Sequence, residues 1–124
     1  MSKLFETLEN EVLLVSQFIE LLKEEKAELS AGKAENLDSI NAKKLILVDS
    51  LNETGRARAL LIRRSDPVSQ HEMANWFQEN PKEQSAKKTW GALLDKAAEA
   101  RHLHELNSEL LSLMLKKTGD ALAI

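Results

Sequence analysis

Neither cysteine nor tyrosine occurs in the 124 residues. Without thiols the chain has no disulfide, no thiolate nucleophile and no cysteine-ligated zinc. Only two prolines and four glycines interrupt it, and aromatics make up 4% against 30% charged residues. That balance favours long helices over sheets. An excess of positive charge is also missing: the formal net charge is -3 and the pI is near 5.7, which argues against a general nucleic-acid binder that must neutralise phosphates. The nearest approach to a basic cluster is Arg56, Arg58, Arg63 and Arg64, which reads as a solvated helix end favourable to the macrodipole. No stretch approaches the ~20 apolar residues of a membrane span, and the opening MSKLFETLENEV has neither the basic segment nor the apolar centre of a secretion signal. The expectation is a cytoplasmic protein with no membrane insertion.

What is present is helical periodicity, with 43% apolar residues, enough for the core of one domain spanning 1–124. Leu4, Leu8, Val12, Val15, Phe18, Ile19, Leu22 and Leu29 advance by threes and fours and predict a helix over about 3–31, with Phe5, Leu13, Leu14 and Leu21 widening its apolar face and a second contact surface as the alternative reading of the three leucines. Gly32 can close it. Leu37, Ile40, Leu47, Val48, Leu51 and Ile62 predict a second helix over about 34–65, stopped ahead of Pro67. So short a connection makes an antiparallel hairpin. Ser69 and Glu72 form a capping box for a short helix over about 69–79. Asn80, Pro81 and Glu83 suit the start of a last helix over about 81–118, ended by Gly119 and followed by an apolar tail, 119–124. The fold class is therefore all-α: an elongated antiparallel bundle of three long helices, with one short helix before the last.

The last helix carries two apolar stripes. One contains Trp90, Leu93, Ala97, Ala100, His104, Asn107, Leu111 and Met114, the other Leu103, Leu106, Leu110 and Leu113. Together they cover an arc of roughly 200°, where a surface helix needs little more than 100°. One stripe can face the bundle; the second is either further core or a surface for a partner. The candidate contact residues are thus Leu103, Leu106, Asn107, Leu110, Leu111, Leu113, Met114 and, in the tail, Leu122. Trp76 and Phe77 are secondary candidates, because aromatics are enriched at binding hot spots, with a plug at the end of the bundle as the alternative.

Catalytic and metal patterns are sparse. His102 and His104 lie on nearly opposite sides of a helix and cannot share a metal. Glu99 and His102 make one Glu-x-x-His motif, where a di-iron bundle needs two. Ser108 and His104 sit four residues apart, but no oxyanion site accompanies them. The four glycines are isolated, so there is no phosphate loop. No enzyme, metal or cofactor is expected.

Three segments resemble the FlgN-type flagellar export chaperones. They are the Leu/Glu-rich first helix with its glycine turn and Leu37; Lys43, Lys44, Leu45, Ile46 and Leu47 leading to Arg58; and Asn107, Ser108, Glu109, Leu110 and Leu111 followed by Leu115, Thr118, Ala121 and Leu122. Lys33, His104 and Ser108 depart from that pattern, standing where many members have aspartate, asparagine and glycine. The resemblance implies a cytoplasmic chaperone without catalysis or cofactor. It would bind hook-filament junction proteins through its C-terminal region and deliver them to a component of the export gate. The rival reading from the second stripe is a homo-oligomeric coiled-coil adaptor, and a weak homo-oligomer is compatible with either.

Overall fold

The computed structural model describes residues 2–122, and within the last helix the side chains of 118 and 120–122 lie outside the described residues. Among the described residues there are four helices and no strand: α1 Lys3–Ser30, α2 Leu37–Leu61, α3 Gln70–Glu79 and α4 Gln84–Leu122.

Local chemistry sets most of these limits. The Ser2 hydroxyl accepts from the Phe5 N–H at 3.0 Å, satisfying one of the orphan donors of α1. At the other end Gly32 takes φ 69 and the Lys33 N–H reaches back to the Glu28 carbonyl at 2.9 Å, a Schellman closure. α2 ends the same way, with Arg64 N–H on the Ala59 carbonyl at 2.9 Å, but the left-handed residue is Arg63 at φ 57. This closure stops α2 at Leu61, ahead of the expected 65 and before the proline is reached. The capping box of Ser69 and Glu72 forms as the sequence predicts.

The start and end of α4 differ from expectation. Asn80 does not cap it: its amide donates to the Trp76 carbonyl at 2.8 Å, finishing α3. A turn closed by the Glu83 N–H on the Asn80 carbonyl follows, and the helix begins at Gln84. Glu83 instead accepts from the Ser2 hydroxyl at 2.9 Å, tying the start of α4 to the start of α1. At the far end the helix continues through Gly119 to Leu122. A helical glycine costs about 1 kcal/mol relative to alanine, too little by itself to stop a helix.

α1 is the shared element. It packs along α2 and along α4, with no comparable run between α2 and α4. Arg58 on Glu11 and Lys44 on Glu25 make α1 and α2 antiparallel; Ser2 on Glu83 and Glu25 on Asn107 make α1 and α4 parallel, with α3 linking α2 to α4 at the end where α1 begins. The core gathers Leu4, Leu8, Val15 and Ile19 of α1, Ile62, Met73 and Phe77 from the crossover, and Ala86 and Leu93 of α4. It is therefore concentrated at the α3 end of the molecule.

Candidate partner-binding surface

The length of α4 decides which of its residues are covered. The paired positions on α1 and α4 differ by 81 at Ser2–Glu83 and 82 at Glu25–Asn107. With that offset, Ser30 at the end of α1 lies level with about residue 112. The remainder of α4, to Leu122, overhangs the α1–α2 turn by about 15 Å. The face toward α1 is buried while a neighbour lasts, with Ala86, Leu93 and Asn107 all inside. Leu103, Leu106 and Leu110 are half-buried on the flank, and Leu103 packs against the core. At and beyond the end of α1 the cover thins: Leu111 is 39% exposed, Leu113 58% and Leu115 61%. Met114 is half-buried.

Asn107 points into the interior. Its amide nitrogen donates to the Leu22 carbonyl and to a Glu25 carboxylate oxygen, each at 2.8 Å. The Lys44 ammonium reaches the same carboxylate at 3.1 Å. Three helices thus meet at one buried polar node, and the Asn107 side-chain carbonyl is left without a partner. Fourteen residues nearer the start of α1, Glu11 accepts from Arg58 at 2.9 Å, and the Arg58 guanidinium lies 5.0 Å from the centre of the Trp90 ring. Burial pushes the Glu11 carboxyl above its usual range, although the Arg58 hydrogen bond and charge pull it down. Such nodes fix which helix faces meet, because shifting either helix would strand a buried charge.

Of the two aromatic candidates, Phe77 is buried in the core beside Met73. Trp76 is half-buried against it, edge to face at 5.3 Å. They close the α3 end of the molecule, at the opposite end from the overhang. Leu122 lies in the last described turn and its side chain is outside the described residues.

The Ser108 hydroxyl donates to the main-chain carbonyl of His104 at 3.0 Å, so it is engaged with its own helix and not with the imidazole. His102, His104 and Glu99 are all exposed. Among the described residues no three histidine or carboxylate groups converge as metal ligands, and no helix is long and apolar enough to cross a membrane.

A second apolar surface takes in two of the leucines, Leu13 and Leu21, that lie off the main stripe of α1. Leu21, Ile46 and Leu47, with Gln17 and Lys43, line a shallow groove of about 390 Å³ between α1 and α2, and Leu13, Leu45 and Leu60 are exposed on the same two helices. Leu13 and Leu21 read as a widening of the core face, and Leu45 and Ile46 merge with Leu47 and Val48 into one apolar run. Its first two members, which lie off the stripe of Leu37, Ile40, Leu47 and Leu51, are exposed.

The family model described as FlgN protein matches residues 1–124. No curated protein and no solved structure matches the chain. The match spans the entire sequence of a chain whose helices and overhanging final rod are described above, and the protein belongs to the FlgN family of flagellar export chaperones.

Proposed function

We propose that the overhanging end of α4 is where this chaperone holds its cargo, that the cargo is a hook-filament junction protein, and that residues 1–124 work as one domain in the cytoplasm. The observation that carries the reading is the exposure of Leu111, Leu113 and Leu115 where α4 reaches and passes the end of α1. An amphipathic cargo helix laid along this rod would cover Leu113 with the half-buried Leu110 beside it, or the Leu111 and Leu115 pair on the other side, the helix-in-groove mode of recognition. Full burial of a leucine contributes about 1.5–3 kcal/mol, and more than half of that is still to be gained at Leu113 and Leu115. A few such contacts, less the cost of ordering the cargo, suit a complex that can be released. Release suits a carrier that hands its cargo to an export-gate component.

The test is binding of a purified junction protein to the wild type and to Leu113→Asp, with helical content and thermal melting measured in parallel. Loss of binding with an unchanged melt supports the reading. Unchanged binding in the variant removes the overhang as the cargo site.

A further inference from the structure

Leu103, Leu106, Leu110 and Leu113 repeat with heptad spacing, and one flank of that seam carries Glu109 and Lys116. Both charges are exposed. They sit seven residues apart on the same helix, about 10 Å, too far to pair with each other, and neither joins an ion pair among the described residues. In an antiparallel pair of helices each flank of the seam faces the same flank of the other helix. Setting Leu110 against Leu113 of a second copy, and Leu113 against its Leu110, brings Glu109 opposite Lys116 and Lys116 opposite Glu109. A parallel arrangement would set Glu109 beside Met114 and leave both charges unmatched.

We infer that the end of α4 pairs antiparallel with the same stretch of a second copy of this chain. The centre of that pairing falls between residues 111 and 112, level with the end of α1 at Ser30. The α1 helices of the two copies therefore lie on opposite sides of the centre and do not collide, and each overhang runs along the half-covered flank of the other, with Leu113 against Leu110 and Lys117 level with Leu106. Of the exposed leucines assigned above to cargo the dimer covers Leu113, so the free chaperone caps part of its own binding surface. That last consequence rests on the cargo reading; the pairing itself does not.

Sedimentation equilibrium of the full chain, from micromolar to millimolar concentration, tests it. The wild type is expected to dimerise. Glu109→Lys and Lys116→Glu, each placing like charges together twice, are expected to weaken the dimer by about tenfold or more. An equimolar mixture of the two single variants, and the exchanged double variant, are expected to recover wild-type association, with circular dichroism unchanged throughout. A wild type that stays monomeric, single variants that dimerise normally, or a mixture that fails to recover would each overturn the inference. Unchanged cargo binding in Leu113→Asp with the dimer results as expected would remove only the cargo reading. Loss of cargo binding with a monomeric wild type would remove only this one.

Discussion

The Asn107 amide donates to the Glu25 carboxylate at 2.8 Å, joining α4 to α1 at a position the sequence offers as a contact for partners. Since Asn107 is buried and also holds the Leu22 carbonyl, its first role is to set the register between two helices. Substituting Asn107→Ala leaves both acceptors without this donor and should cost about 1–3 kcal/mol of stability, measured by urea unfolding. Binding measured well below the melting transition should change far less than in Leu113→Asp.

Glu11 makes stability depend on pH. Its folded pKa is raised above 4.5, first by burial, so over the interval between the unfolded and folded values the native state binds more protons than the unfolded chain. The contribution of this group is thus fully present below 4.5 and is lost as pH rises through the folded value. Compared with the wild type, Glu11→Gln should gain relative stability between about pH 4 and pH 7. Chemical denaturation at both ends of that range gives the sign. A relative loss on raising the pH would mean that the Arg58 pair outweighs desolvation.

Phe77 and Trp76 separate core from surface. Phe77→Ala removes a ring from the interior and should cost about 3–5 kcal/mol, whereas Trp76→Ala, at a half-buried position, should cost less. Thermal melting ranks the two, and a larger loss at Trp76 would contradict the packing described.

Two backbone positions offer stabilisation without touching any partner. Arg63 sits at φ 57, where glycine carries no Cβ penalty, so Arg63→Gly should stabilise by about 0.5–1 kcal/mol. Gly91 lies inside α4, and nothing stands within 4 Å of the place an alanine methyl would take. Gly91→Ala should therefore gain a similar amount, about 0.5–1 kcal/mol. Both are checked by the midpoint of denaturant unfolding.

Much of the helical content was written locally. The periodicity of Leu4 to Leu29, the Ser69–Glu72 box and the glycine at Gly32 act within a turn or two of themselves, and they produce the elements they predict. The two stripes of α4 are equally visible in the sequence, and so is the surplus of leucine at its end. Competition between neighbouring caps was not visible: whether Asn80 opens α4 or closes α3 depends on where the Trp76 carbonyl ends up. The outward turn of Leu45 and Ile46 agrees with their absence from the stripe of Leu37, Ile40, Leu47, Val48 and Leu51, but Val48, which that stripe included, is 38% exposed.

The amino-acid sequence by itself therefore determined that the chain is helical, roughly where each helix runs, and that the last one carries more apolar surface than one face can use. Only the tertiary structure decided how that surface is divided. Asn107 goes inside because Leu22 and Glu25 are there to receive its amide, and Leu113 and Leu115 stay outside because α1 has already ended. Both outcomes depend on the offset between two parallel helices of unequal length, which is set by contacts between residues some eighty positions apart and has no local signature.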